Sequence, residues 1–140
     1  MKEKTVAVSG GFDPIHVGHV RMIREASKLG KVIVILNNDD FLMRKKGFVF
    51  MPLEERKELL ENIKGVESVF VSIDEDDSVN KSLEAVKPDI FANGGDRKAE
   101  NEIRESEVCK RLGIELVFNV GGGKVQSSSW LTQTRKLDNS

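Results

Sequence analysis

Residues 31–36, Lys-Val-Ile-Val-Ile-Leu, form a near-continuous run of branched apolar side chains. A strand with one solvated face alternates apolar and polar residues. A strand without that alternation is covered on both faces, as in a parallel sheet sandwiched by helices. The preceding residues fit such a sheet. Thr5-Val6-Ala7-Val8 is a short β-prone run closed by Ser9-Gly10-Gly11. Over residues 17–29, Val17, Val20, Ile23, Ala26 and Leu29 recur at helical spacing, and Gly30 stops the helix. Strand, helix and strand within the first 36 residues describe a right-handed crossover unit.

The pattern then repeats. Pro52-Leu53-Glu54-Glu55-Arg56 opens a helix with proline near its first position and acids in its first turn, running to Ile63 and ending near Gly65. Residues 68–73 read as strand, 79–86 as helix, 89–92 as a short strand and 100–112 as a helix stopped by Gly113. Residues 114–120 form the last strand and 130–137 a short closing helix. Asp74 to Asp77 is read as a solvated acidic loop. The expected architecture is a single α/β domain over residues 1–140, a doubly wound, parallel, five-stranded sheet of Rossmann-like form.

Composition narrows the function classes. A net charge of -1 supplies no basic field, which disfavours a nucleic-acid partner. No apolar run approaches the roughly 20 residues that cross a bilayer, so no membrane role is expected. Cys109, the single cysteine, excludes an internal disulfide and a multi-cysteine metal site, and it reads as structural. Such usage, with a polar start running straight into a strand, leads us to expect a cytoplasmic domain.

In a doubly wound sheet, ligands bind beyond the carboxyl ends of the strands. Three loops there carry chemistry-bearing residues: 10–19, 93–97 and 121–129. In the first, Gly10 and Gly11 permit close approach of a phosphate chain, and the following helix start offers free N–H groups. His16 and His19, the only two histidines, are three apart and share a helix face. There they form either a surface pair, a partial metal site, or two hydrogen-bond donors to phosphate oxygens. In the second loop, Asp96 is placed either to bind a ribose hydroxyl or an arginine, or to cap a turn. In the third, Gly121-Gly122-Gly123 precedes Ser127-Ser128-Ser129, hydroxyls at a helix start.

Gly11-Phe12-Asp13-Pro14-Ile15-His16-Val17-Gly18-His19 resembles the signature of the cytidylyltransferase-like nucleotidylyltransferase superfamily. The resemblance implies transfer of a nucleoside monophosphate from CTP or ATP to a small phosphorylated acceptor, with pyrophosphate released. It implies His16 and His19 as the groups that contact the phosphates, with Gly10, Gly11, Phe12, Asp13 and Gly18 completing the nucleotide loop. Lys45-Lys46-Gly47 and Pro52 to Arg56 resemble the lysine and arginine-bearing helix of glycerol-phosphate cytidylyltransferases and heptose-phosphate adenylyltransferases. By that likeness Lys46 reaches a phosphate, with Arg44 and Lys45 as rivals, and Arg56 either contacts a phosphate or holds the site together. Asn93-Gly94-Gly95-Asp96-Arg97 resembles the heptose enzymes' lysine–glycine–glycine–aspartate–tyrosine, with Asn93 in place of lysine and Arg97 in place of tyrosine. Asn93, Gly95 and Asp96 are thereby expected at the nucleotide and Arg97 at the acceptor. Gln126, Ser127 and Ser128 match the family's hydroxyl-rich triphosphate loop.

The implied mechanism is in-line attack by an acceptor phosphate oxygen on the α-phosphorus, with positioning and electrostatics supplying the catalysis. Mg2+ is expected to bridge the phosphates through water rather than sit in a protein cage. A homodimer is expected by likeness to the relatives. The rival readings are a phosphopantetheine-type adenylyltransferase and a nucleotide-binding regulatory module without turnover.

Overall fold

The computed structural model describes residues 3–94, 104–118 and 120. The elements run β1 (Thr5–Gly10), α1 (Val17–Ser27), β2 (Lys31–Leu36), α2 (Asp39–Lys46), α3 (Leu53–Glu61), β3 (Val66–Val71), α4 (Asn80–Val86), β4 (Ile90–Ala92), α5 (Ser106–Leu112) and β5 (Glu115–Val117). The five strands form one sheet in the order β3-β2-β1-β4-β5, and every pair is parallel. This is the doubly wound arrangement expected from the uninterrupted apolar run of β2.

Each face of the sheet carries its own core. Val6, Val8, Val34, Ile90 and Ala92 pack with Ile23 and Ala26 of α1 and Leu60 of α3. Ala7, Ile35 and Phe91 pack with Leu83 of α4 and Cys109 of α5. Successive residues of β1 are therefore buried whichever face they point to, with Val6, Ala7 and Val8 all at 0% exposure. Cys109 lies inside the second core, where burial first and Glu105 second raise its thiol pKa from 9.0 to about 11. That holds it as the unreactive thiol.

Several local expectations are corrected. α2 occupies a stretch without apolar periodicity, and only Leu42 of its residues is buried. Its ends are set by chemistry instead: Asn38 accepts from the Phe41 amide at 2.8 Å, acids fill the first turn, bases fill the last, and Gly47 adopts φ 81°. On α1, Ile23 and Ala26 are buried, while Val17 and Val20 are exposed at 45% and 39%. Successive residues step 100° around a helix, which carries both valines off the face that meets the sheet. β3 begins at Val66, two residues before the expected start, and β5 ends at Val117. Asp74 is buried, not solvated: it accepts from the Lys81 amide at 2.7 Å, the Ser82 amide at 2.9 Å and the Ser82 hydroxyl at 2.6 Å. It thereby satisfies the first-turn N–H groups of α4 from a distance. The expected closing helix at 130–137 lies outside the described residues.

Candidate active site

β1 lies between β2 and β4, so the chain leaves it toward one edge of the sheet and later returns to its other side. The carboxyl ends of β1 and β4 thus mark the point where the winding reverses, which is where ligands bind in sheets of this kind. At the end of β1 the backbone runs tightly against its surroundings. A Cβ on Gly10 would lie 3.2 Å from the Phe12 ring, and one on Gly11 would lie 2.8 Å from Cδ2 of Leu42. Phe12 follows in the left-handed region at φ 51°, with its ring buried.

The helix start after this loop is built from the two histidines. His16 is the N-cap of α1, and its Nδ1 accepts from the Gly18 amide at 3.1 Å. His19, one turn on, returns the arrangement: its Nδ1 accepts from the His16 amide at 3.1 Å. This is a capping box made of imidazoles. The rings stack at 3.7 Å with 21° between their planes, and Phe12 meets the His19 ring edge-on at 4.6 Å. Because both Nδ1 atoms accept from backbone N–H groups, donor–acceptor geometry puts each ring proton on Nε2. Burial, and then the neighbouring His16, lower the His19 pKa from 6.5 to about 3. His19 is consequently a neutral hydrogen-bond donor at physiological pH.

Asp13 faces inward. Its carboxylate accepts from the Phe50 amide at 2.7 Å and from the Met51 amide, and it lies 3.5 Å from Lys46 Nζ. It fastens the 47–51 segment to the first loop, and its side chain is fully buried. Lys46 Nζ also donates to the Asp13 carbonyl at 2.7 Å and sits 5.1 Å from the centre of the Phe48 ring. Its rivals point elsewhere: Arg44 donates to the Asp76 carbonyl at 3.1 Å, and Lys45 is exposed. Of the three, Lys46 is the cation the fold brings to the first loop.

Arg56 is wholly buried on α3. Its Nε donates to Met51 O at 2.9 Å, its Nη1 to Gly11 O at 2.9 Å and Asn37 O at 2.7 Å, and its Nη2 to Asp39 Oδ1 at 2.6 Å. One guanidinium therefore ties together the loops after β1, after β2 and before α3. Of its two expected roles, this geometry supplies the one that holds the site together. Asn37, Asp39 and Met51 belong to this hub, and the sequence reading did not single them out. For Asp39 the available signal was its place behind Asn38 in an acid-rich helix start. The backbone carbonyls of Asn37 and Met51 leave no sequence signal.

At the end of β4, Asn93 is 8% exposed and continues the ladder, donating to Val117 O at 2.7 Å and accepting from Val120 N at 3.0 Å. A Cβ on Gly94 would lie 3.0 Å from Met22 Sδ and 3.2 Å from Val120 O, so this backbone passes close over α1. Gly95, Asp96, Arg97, Gln126, Ser127 and Ser128 lie outside the described residues.

Among the described residues, no cluster of three or more His, Cys, Asp or Glu side chains could hold a metal ion, and no helix is long and apolar enough to cross a membrane. What the site does offer is a glycine-lined backbone, two imidazole donors at a helix start and one lysine. That set suits a ligand carrying phosphates.

Comparison with known proteins identifies a family and relatives. The family described as Cytidylyltransferase-like matches residues 7–119. The FAD synthase of Ferroglobus placidus is 36% identical over 108 residues, which cover 77% of this chain and 70% of that protein. The bifunctional protein HldE of Hahella chejuensis is 37% identical over 123 residues, and that of Citrobacter koseri 39% over 124, each covering 86% of this chain. The chain spans only about a quarter of those HldE proteins, 24% and 26%. The crystal structure of the lipopolysaccharide core biosynthesis protein from Thermoplasma volcanium superposes with a TM-score of 0.70 at 26% identity, covering 84% of this chain and 95% of that one.

Proposed function

Because the chain belongs to the cytidylyltransferase-like family, we propose that this nucleotidyltransferase moves AMP or CMP from a nucleoside triphosphate to a sugar or polyol phosphate, releasing pyrophosphate. The observation that carries this reading is the reciprocal capping of His16 and His19. With both Nδ1 atoms engaged, two Nε2–H donors stand at the start of α1, directly after the central strand. Donors fixed in this way stabilise charge that develops on a phosphate without reorganising during the reaction. Lys46, bonded to Asp13 of the same loop, adds a cation.

The chemistry needs no general base. A phosphate monoester is largely doubly ionised near neutral pH, because its second pKa is about 6, so its oxygen is already a nucleophile. A neutral His19 agrees with that, since its work is to donate a hydrogen bond rather than to take a proton. Mg2+ enters this reading with the triphosphate, held by phosphate oxygens and water, where it neutralises charge on the departing pyrophosphate. The inward-facing, amide-bound carboxylate of Asp13 supports that arrangement over a protein cage.

The HldE likeness favours a heptose phosphate as acceptor with ATP. The FAD synthase likeness favours a flavin phosphate, itself the phosphate of a polyol chain, with the same nucleotide. A homodimer, by likeness to the relatives, and a cytoplasmic setting complete the proposal. The test is to incubate purified protein and Mg2+ with ATP or CTP against heptose 1-phosphate, glycerol 3-phosphate and flavin mononucleotide, and to weigh the products. One nucleotidylated acceptor is expected. Nucleotide binding without any product would support the regulatory module instead.

A further inference from the structure

Two buried polar atoms have no hydrogen-bond partner among the described residues: Nδ2 of Asn93, a donor, and Oδ1 of Asn80, an acceptor. Both lie at the carboxyl edge of the sheet, and both belong to its α4/α5 side. Along β4, Ile90 and Ala92 face the core shared with α1, whereas Phe91 faces the core of α4 and α5. Asn93 continues that ladder, so the two-residue alternation places it on the face of Phe91. Asn80 begins α4. Ser82 turns toward β3, bonded to Asp74 at 2.6 Å and Ser72 at 3.2 Å, while Glu84 turns the other way, onto Arg111 of α5. Asn80 stands four residues before Glu84 and shares its side of the helix. The start of α4 is held against α5 by Glu105, which accepts from the Val79 amide at 2.9 Å.

We infer that Asn93, which the resemblance alone places at the nucleotide, instead forms with Asn80 the part of the site that reads the uncharged, hydroxyl-bearing portion of the phosphorylated acceptor, an inference that rests on the transfer reading above. A buried polar group without a partner costs stability, and folded proteins keep few of them. An unpaired donor and an unpaired acceptor on one face together specify their complement. An anion would satisfy Asn93 Nδ2 but be repelled by the lone pairs of Asn80 Oδ1, and an ammonium would do the reverse. A hydroxyl both donates and accepts, and so answers both. The imidazole pair stands on the α1 side of β1, so the nucleotide and the body of the acceptor occupy opposite faces of the winding reversal. The acceptor phosphate lies between them.

The test follows the Asn93 side-chain amide in ¹⁵N-resolved NMR while adding inorganic phosphate, CTP, ATP, glycerol 3-phosphate, heptose 1-phosphate or flavin mononucleotide. One of the acceptor esters, glycerol 3-phosphate, heptose 1-phosphate or flavin mononucleotide, is expected to shift the Asn93 cross-peak, while inorganic phosphate, CTP and ATP, held on the α1 side, leave it in place. Asn93→Leu is expected to weaken that ester about tenfold, the worth of a buried hydrogen bond, with nucleotide affinity unchanged. Its Tm is expected to hold or to rise by ~2–6 °C, because an unpaired buried amide has been removed. A cross-peak that stays put with every ester, or that moves with nucleotide or phosphate alone, would overturn the inference. So would a lowered Tm, which marks a structural role. The two readings fail separately: a shifted cross-peak without pyrophosphate release counts against transfer, whereas turnover with unaltered acceptor KM in Asn93→Leu counts against this pocket.

Discussion

The guanidinium of Arg56 donates to the carbonyl oxygen of Gly11 at 2.9 Å across a sequence separation of 45 residues. The same group holds Asn37, Asp39 and Met51, so the loop preceding the histidines inherits its shape from a side chain on α3. Arg56→Ala is expected to lower stability by ~3 kcal/mol or more, since it leaves three carbonyls and a carboxylate without their buried donor. Arg56→Lys cannot reach all four acceptors and is expected to lose turnover while still folding. Denaturant melts read beside kcat distinguish the two effects.

Asp13→Asn removes the charge that receives the Phe50 and Met51 amides and faces Lys46. An asparagine supplies one acceptor oxygen where the carboxylate supplies two. The variant is expected to lose ~1–3 kcal/mol, with proteolysis appearing first in residues 47–51, and to lower kcat/KM by displacing Lys46. Unchanged cleavage of that segment would contradict the fastening role.

Gly11→Ala places a methyl group 2.8 Å from Cδ2 of the buried Leu42, a side-chain end that must shift to admit it. A cost of ~1–3 kcal/mol is expected from overpacking. Leu42→Ala in the same chain is expected to recover part of it, and a double-mutant cycle measures that coupling.

His19 carries a pH signature. Its folded pKa of about 3 lies below the ordinary value of 6.5, so between those values the unfolded chain binds the proton more tightly. The stability it contributes is complete above pH 6.5 and declines as pH falls from there toward 3, by at most ~1.4 kcal/mol per unit. His19→Gln is expected to flatten the acid limb of the stability curve. The His19 ring resonances are expected not to titrate between pH 5 and 8, so the acid limb of kcat follows the acceptor phosphate instead.

Much of the fold was legible because β1, β2 and β4 are apolar on both faces, a pattern that only a helix-covered parallel sheet explains. α2 was not, because its single buried residue, Leu42, creates no period; its signals are the Asn38 cap and the sorted charges of its ends. On α1, Val17 and Val20 mimic a core stripe in the sequence but point to solvent. At the site, the histidines were readable from their spacing and place after β1. The inward turn of Asp13 was not, and for Arg56 the resemblance left two roles open, since both side chains are satisfied largely by backbone atoms, and backbone atoms are the same in every sequence. The unpaired amide of Asn93 is likewise a property of its surroundings.

The role proposed for His16 and His19 is to act on charge that develops during transfer. The most direct measurement compares pyrophosphate release and nucleotide affinity in wild type, His16→Ala and His19→Ala, with Mg2+ and the preferred acceptor. The expected result is a loss in kcat of roughly 10²- to 10³-fold for each variant, with nucleotide Kd altered far less. A matching loss in Kd, or turnover that survives either substitution, would contradict it.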